Sequence, residues 1–370
     1  MTQSHWYAFP SSRKAKVWIE ETDKVRHALD LYHPYSGRGR AITWLFRSMP
    51  NVASRFVLRT RADPVLSQRL GSFAKIIRDR LGIEDLAVSF SLGTPGGHQK
   101  LTARASQEGR AVAYVKISEN AAVTGLLRNE ARMLNWLDGC NLRSAVLPKC
   151  LGTAECSNSS LIFLGPPPGR ARQRSAKVSS SEVEFLEELN SLNSESIAPE
   201  EFFADWEMDT IASPRDTETT KCAELLARCT DVARTSLVQS GVRVGAGHGD
   251  FAPWNTLDLE DGRLFVFDWE YGSKQSVALA DVFHRLIMPA RLLEGLPARK
   301  IVDRIFALLD QQTWQRLFRK HEISHENLAA HLLIYLMISA IQKNCEGENI
   351  DAFTIDCLRI ILEKTNSKYF

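Results

Sequence analysis

The stretch His248-Gly249-Asp250-Phe251-Ala252-Pro253-Trp254-Asn255, followed by Leu264-Phe265-Val266-Phe267-Asp268-Trp269-Glu270, carries the most information in this chain. Asp268 ends a short apolar run that reads as a strand and would hold its carboxylate rigidly. Magnesium prefers oxygen ligands and takes one or two carboxylates where it sits beside phosphates. Asp268 suits that place, and Asn255 can add an amide oxygen. Asp250 is left to accept a hydrogen bond from an attacking hydroxyl and orient it, which is most of what a phosphoryl-transfer site asks of a protein. The turn Glu260-Asp261-Gly262-Arg263 folds 256–259 back on 264–267 and predicts that Asn255 and Asp268 share one end of a hairpin. Singly, these residues have plainer readings: solvated turn or cap residues, and for His248 a satisfied core histidine. The D-x-x-x-x-N spacing, with a second carboxylate on a hairpin-linked strand, makes the set a site. His248 reads as scaffold for the loop rather than as a base.

Outward from this stretch, residues 81–167 read as strand-rich with one helix. Leu86–Leu92, Leu101–Ala105 and Ala111–Ile117 are three expected strands, with a glycine turn at 93–97 between the first two and Glu108-Gly109 before the third. A helix is expected from about Ala122 to Asp138. Its apolar stripe runs Leu126, Leu127, Met133, Leu134, Leu137, and Glu130 falls on that stripe. An inward carboxylate is costly unless paired, and Lys116 on the preceding strand is the available partner. A lysine held in this way is what binds nucleotide phosphates in such a site. The tip Gly93, Gly96 and Gly97 can cover phosphates through backbone N–H groups, or can be no more than a hairpin turn. Further on, Leu161–Leu164 reads as a strand and Gly165–Gly169 as a stiff boundary. Ser179 to Ser181 with Glu182 and Glu184 then offer caps and first-turn acids for a new helix.

The motif resembles the paired signature of the aminoglycoside phosphotransferase and choline kinase family, which has the protein-kinase-like fold. The resemblance covers about 80–340 in organisation and is specific in 247–270. It implies an α+β, two-lobed fold with a small antiparallel-sheet lobe, a mostly helical lobe and an extra N-terminal region. The expected parts are an accessory region 1–80, a nucleotide-binding lobe 81–167 and a helical catalytic and substrate lobe 168–370. By resemblance Asp250 is the catalytic aspartate and Asn255 and Asp268 are metal ligands. Asp281 is similar to a downstream structural aspartate, with a plain helix cap as the alternative. Phe163–Gly165 is placed at the adenine edge by resemblance alone. The implied cofactors are ATP and Mg2+, and the implied reaction is transfer of the γ-phosphoryl group to a hydroxyl of a small molecule: a sugar, amino-sugar or amino-alcohol. Family members often carry a histidine at the end of the first helix of the second lobe; here Asn190 stands there, so a shared substrate contact does not carry over.

The bulk properties agree with this reading. The chain of 370 residues can form two cores, and 44% hydrophobic content makes it globular. A net charge of +2 argues against a general nucleic-acid partner. Seven scattered cysteines without CxxC spacing fit a reducing compartment. The start lacks a signal sequence, and the longest apolar run, Leu328–Ile341, contains His331 and falls short of the roughly 20 residues that span a bilayer. A cytoplasmic location is therefore expected. There is no Walker A or GxGxxG pattern. Only 13 positions separate Asp268 from Asp281, and no Asp-Phe-Gly triplet follows Asp250, so a small acceptor is favoured over a protein.

Three features point elsewhere. His321-Glu322-Ile323-Ser324-His325 is an HExxH sequence with His331 beyond it, as in a zinc protease. Leu328 replaces the glycine of the extended motif, and six residues of helix turn His331 by about 600° away from the shared face. The plain alternative is a helix start with surface histidines. Between Leu31 and Arg61 lie Arg38, Arg40, Arg47, Arg55, Arg59 and Arg61, interleaved with Trp44, Leu45 and Phe46 and with no acidic residue. This suits peripheral contact with an anionic substrate or membrane surface, or else an amphipathic helix packed on the small lobe. A non-catalytic nucleotide-binding protein with the same fold is the remaining alternative.

Overall fold

A computed structural model describes the chain except residues 1–4, 11–14, 33, 35–36, 50, 52, 54–57, 59–61, 94–98, 157, 176, 205–216, 346–348 and 367–370. The chain divides into two units: 1–139 with 147–170, and 140–146 with 171–370. The first is built on an antiparallel sheet and the second is mainly helical.

The sheet of the first unit has seven strands, in the order Trp6–Phe9, Val17–Glu20, Ala87–Leu92, Leu101–Gln107, Arg110–Ser118, Ser159–Leu164, Cys150–Cys156. The three strands expected around Gly93 and Gly109 are present and pair as neighbours. Side-chain alternation splits them into two faces. Val88, Phe90, Ala103, Ala105, Val115 and Ile117 form one core with Trp6, and the Pro64–Leu81 helix covers it through Leu70, Phe73, Ala74 and Ile77. That helix starts on Asp63, whose side chain caps Leu66 N, and ends on Gly82 at φ 66°.

The opposite face is polar and still buried. It carries Ser89, Arg104, Ser106 and Lys116. Ser89 Oγ donates to Asp23 Oδ2 at 2.9 Å, and Glu20 accepts from Val88 N at 2.6 Å and from Arg78 at 2.6 and 2.8 Å. Burial raises the Asp23 carboxyl above its ordinary value, against the pull of nearby Arg104. The N-terminal residues thus supply two strands to the sheet edge and a helix to its apolar face.

Among the arginines of the N-terminal region, Arg40 and Arg47 are exposed on the Gly37–Ser48 helix, and Arg47 reaches Asp30 at 3.3 Å. Phe46 is buried against Phe9, whereas Trp44 and Leu45 are exposed. The Arg38 side chain and residues Arg55, Arg59 and Arg61 lie outside the described residues.

The second unit holds a three-stranded sheet, Glu195–Ile197, Val242–Gly247 and Ser273–Val277, and a four-stranded one in the order Ala145–Val146, Leu264–Val266, Thr256–Leu259, Ala171–Gln173. The helix expected after Ser179 spans Ser180–Asn190. Ser179 Oγ accepts from Glu182 N and Glu182 returns a bond to Ser179 N, closing a capping box. Glu182 is fully buried and also holds Arg285 Nε at 2.6 Å and Arg174 at 3.3 Å. That network ties the Ser180–Asn190 helix to the Ala280–Leu292 helix. The apolar run Leu328–Ile341 lies within the His325–Cys345 helix, packed against the Thr217–Leu237 helix. Among the described residues, no helix is long and apolar enough to cross a membrane, and the six described cysteines are all free.

The HExxH reading fails on this geometry. His321 closes the Gln312–Lys320 helix, Glu322 sits at φ 55° in a turn, and a new helix begins at His325. No single helix face therefore presents His321 and His325 together. Glu322 is paired with Arg243, and His331 Nδ1 lies 2.8 Å from Asn327 O. His321 and His331 are also buried rather than on the surface, and burial holds both imidazoles down at about 4. An unfolded imidazole titrates near pH 6.5. Between about pH 6.5 and 4 the unfolded chain binds more protons than the folded one, so stability is intact above that window and lost as pH falls through it. For His331 the full effect is up to about 3 kcal/mol. A His331→Phe variant should therefore show a flatter fall of thermal midpoint from pH 7 to 4.5; a slope equal to that of the parent would remove His331 as its source.

Candidate active site

The residues singled out in the sequence fall into two constellations, one in each unit. In the first unit, Lys116 pairs across the sheet with Thr102 and Ile162, and its Nζ lies 2.7 and 2.5 Å from the two carboxylate oxygens of Glu130. Glu130 is fully buried and the Lys116 side chain is 9% exposed. The Ala121–Asp138 helix is started by Asn120, whose side chain accepts from Val123 N at 2.8 Å. Two and a half turns on, it presents Glu130 to the strand, as the apolar stripe required. Burying two charges costs several kcal/mol per ion and returns little net stability. A bidentate pair in this place therefore points to positioning of the ammonium rather than to strengthening the fold.

The glycine tip is only partly described. Gly93 N donates to Lys100 O at 3.0 Å and Gly93 O accepts from Gln99 at 2.9 Å, so its backbone closes the hairpin. Gly96 and Gly97 lie outside the described residues. At the other end of the sheet, Gly165 N donates to Lys149 O at 2.8 Å, which commits that amide within the fold.

In the second unit the Val242–Gly247 strand delivers the His248–Asn255 loop. Gly249 adopts φ 82°, and a Cβ there would stand 2.4 Å from Tyr271 O, so the turn accepts only glycine. Asp281 Oδ2 accepts from His248 N at 2.6 Å and Oδ1 from Gly249 N at 2.9 Å. The Ala280–Leu292 helix has Leu279 as its N-cap, without a side-chain bond, so Asp281 caps the loop and not its own helix. His248 is fully buried against Trp269. Its Nε2 lies 3.0 Å from Phe267 O and its Nδ1 accepts from Asp250 N at 3.2 Å. The Nε2–H tautomer satisfies both contacts, and neither ring nitrogen is left for proton transfer. Asn190 Nδ2 reaches Ala246 O at 3.3 Å, so this asparagine braces the strand that leads into the loop.

Asp250, Asn255 and Asp268 come together as the hairpin required. Thr256 pairs with Val266, and Phe267 N donates to Asn255 O at 3.1 Å, which sets Asn255 and Asp268 at one end. Asn255 is buried, and its Nδ2 donates to Asp250 O and Asp250 Oδ2, both at 2.8 Å. Two acceptors on one side fix the amide's orientation and turn Oδ1 the other way. Asp268 holds φ 71° and ψ 54°, a left-handed conformation costly outside glycine, and its side chain does not cap the one-turn helix Trp269–Tyr271 that follows. Strain of this kind collects where a site needs a side chain aimed in one direction. The Asn255 amide oxygen and the Asp268 carboxylate, set at one end of the hairpin, are oxygen donors of the kind that magnesium takes.

Two residues near Asp250 carried no sequence signal. His284 Nε2 lies 2.8 Å from Asp250 Oδ1, and Tyr335 Oη lies 3.1 Å from His284 Nδ1. Burial pushes the Tyr335 hydroxyl well above the ordinary phenol value, and the negative Asp250 and Asp281 add to the rise. Tyr335 lies inside an apolar run, and nothing in the spacing of His284 ties it to the loop.

No protein-family model matches the chain. No curated protein matches it either. Solved structures do. The chain is similar to aminoglycoside phosphotransferases and a choline kinase. A thermostable mutant of aminoglycoside phosphotransferase APH(4)-Ia in apo form shares 14% identity over 78% of this chain and 98% of its own, at a TM-score of 0.46. Choline kinase LicA from Streptococcus pneumoniae shares 15% over 80% and 99%, also at 0.46. The GDP and kanamycin complex of a further aminoglycoside phosphotransferase, at 12% identity, covers 81% of this chain and 99% of its own, at 0.45. At these values the functional reading rests on the chain's own residues.

Proposed function

We propose that this chain is an ATP- and Mg2+-dependent phosphotransferase that moves the γ-phosphoryl group to a hydroxyl of a small molecule, a sugar, amino-sugar or amino-alcohol. The observation that carries the reading is the Asp250 carboxylate, anchored through Asn255 Nδ2 at 2.8 Å while its side chain stays 30% exposed. A carboxylate accepts about four hydrogen bonds, so acceptor sites remain for a substrate hydroxyl. In the proposed reaction Asp250 accepts the bond from that hydroxyl and takes its proton as oxygen attacks the γ-phosphorus. The new O–P bond forms as the bond to the bridging oxygen breaks, and ADP leaves with that electron pair. Lys116, kept in place by Glu130, holds phosphate oxygens. Asn255 Oδ1 and the Asp268 carboxylate would hold magnesium, which neutralises charge on the phosphates when bound. Asp281 and His248 keep the loop in shape.

A small acceptor is favoured because the span from Asp268 to Asp281 is filled by the one-turn helix Trp269–Tyr271 and the strand Ser273–Val277, with no room for a long substrate-gripping loop. Calorimetry of ATP with and without magnesium, joined to an ATP-consumption screen across sugars, amino-sugars and amino-alcohols, tests the proposal. Magnesium-dependent binding and turnover on one acceptor class are expected, and binding should weaken in an Asp268→Asn variant, which keeps shape but not charge. ATP binding indifferent to magnesium, with no transfer to any acceptor, would make the chain a nucleotide-binding protein instead.

A further inference from the structure

The proposed reaction makes no use of the outward face of the Gly37–Ser48 helix, or of the charge of the region that carries it. Residues 1–62 hold eleven lysines and arginines against four acids, Glu20, Glu21, Asp23 and Asp30, a net charge of +7. The whole chain carries +2, so residues 63–370 carry −5. Two of the four acids are turned inward. Glu20 accepts from Arg78 and from Val88 N, Asp23 accepts from Ser89 Oγ, and each is 2% exposed. The helix sorts its own residues by the 3.6-residue period. Ile42 and Phe46 pack into the core built on Phe9, Val17 and Ile19. On the opposite side Arg47, Arg40, Trp44, Ser48, Ala41 and Leu45 follow one another around an arc of about 160°, and all six are exposed. Trp44 is 69% exposed and Leu45 51%. The helix contains no acidic residue. Asp30 meets Arg47 from outside it at 3.3 Å, in an exposed pair of little strength.

We propose that this helix face is a docking surface for an anionic phospholipid membrane. A single exposed apolar side chain is ordinary on any protein. Here a tryptophan and a leucine share one arc with two arginines, in a region of net charge +7. The helix is fixed along its inner side by Ile42 and Phe46, so it offers the outer arc as a ridge about 18 Å long. Laid on a bilayer, Trp44 and Leu45 enter the boundary between headgroups and acyl chains. Arg40 and Arg47 stay among the phosphates, with their aliphatic stems along the apolar layer. Tryptophan favours that depth because its ring is apolar and its N–H is not. Charge complementarity selects the anionic leaflet: each lysine or arginine near such a surface strengthens binding by about 5-fold. A nucleic acid is also a polyanion, but its backbone gives Leu45 no apolar layer to enter. Two apolar side chains and a handful of charges make the docking reversible rather than a permanent anchor.

The test is co-sedimentation of the full chain with phosphatidylcholine vesicles, with and without phosphatidylserine, at low and at high salt. Partitioning onto the phosphatidylserine vesicles should exceed that onto the neutral ones by about 10-fold or more at low salt. It should fall as salt is added, because the attraction is screened. Replacing both apolar side chains, Trp44→Ser with Leu45→Ser, should weaken it by about 10-fold. Arg40→Ser should weaken it by about 5-fold. These side chains are exposed, so the thermal midpoints should stay at that of the parent, and Arg40→Ser gives a second reading should the apolar double variant lose stability. No binding to either vesicle, or equal binding to both, overturns the inference. Anionic-vesicle binding that both variants keep places the contact elsewhere and overturns it as well. Tighter binding to a mixed-sequence oligonucleotide than to the anionic vesicles would assign the face to nucleic acid instead. None of these readings involves ATP, so the inference stands or falls separately from the phosphotransferase reading.

Discussion

Asp250→Asn is expected to reduce ATP-dependent phosphoryl transfer by about 100- to 10,000-fold, the range typical of a lost general base. The change is nearly isosteric, so the loss cannot be assigned to space. Its chemistry is harsher than its size. Asp250 Oδ2 accepts from Asn255 Nδ2 at 2.8 Å, and His284 Nε2 lies 2.8 Å from Oδ1. An amide offers one oxygen and one NH2, so only one of its two orientations still gives Asn255 Nδ2 an acceptor. The residue would lose both its affinity for a hydroxyl proton and its fixed plane. Folding should be nearly unaffected, because the side chain is 30% exposed and the loop is held mainly through Asp281, Gly249 and His248. The measurement is kcat together with the thermal midpoint of the purified variant. Turnover within about 3-fold of the parent would remove Asp250 from the mechanism.

Glu130→Ala should have the largest effect on stability. The carboxylate is fully buried, and its removal takes from the Lys116 ammonium, only 9% exposed, its bidentate partner. Breaking a buried pair from one side costs about 3–5 kcal/mol. Replacing both members with apolar residues of similar volume removes both buried charges, so Lys116→Met with Glu130→Leu should recover most of that loss. The double variant should nevertheless fail to bind ATP, since the proposed phosphate-holding ammonium is gone. Urea unfolding of the single and double variants, with calorimetry for ATP, separates the two consequences. A single variant as stable as the parent, or a double variant that binds ATP normally, would contradict this account of the pair.

Much of the site was legible because it is local. The hairpin between Asn255 and Asp268 follows from turn residues and strand alternation, and its register needs no distant contact. The Lys116–Glu130 pair is further apart in sequence, yet it follows from helix periodicity and from the cost of an unpaired inward carboxylate. The capping box at Ser179 and Glu182 is a three-residue pattern that needs only its own backbone. The glycine tip was read from composition, and Gly93 shows why composition is weak there: its amide closes the hairpin. The HExxH match failed because a motif read as letters assumes one continuous helix, and the chain turns at Glu322.

Local sequence was enough for the elements whose geometry repeats within a few residues: the loop, its hairpin, the Lys116 strand, the Glu130 helix and the capped helix after Ser179. Which distant groups meet those elements emerges only in the folded chain. The strand Val17–Glu20 pairs with Ala87–Leu92, Val17 opposite Ser91, and no periodicity in either segment specifies the other. His284 reaches Asp250, and Tyr335 reaches His284, because Asp281 and Glu182 pin one helix in place and a second, largely apolar helix packs beside it. The difference lies in the range of the forces. Backbone hydrogen bonding and side-chain period act over three or four residues and leave a record in the sequence. Packing and buried charge pairing act between any two surfaces that fold together, so the partner of a residue is written only in the assembled core.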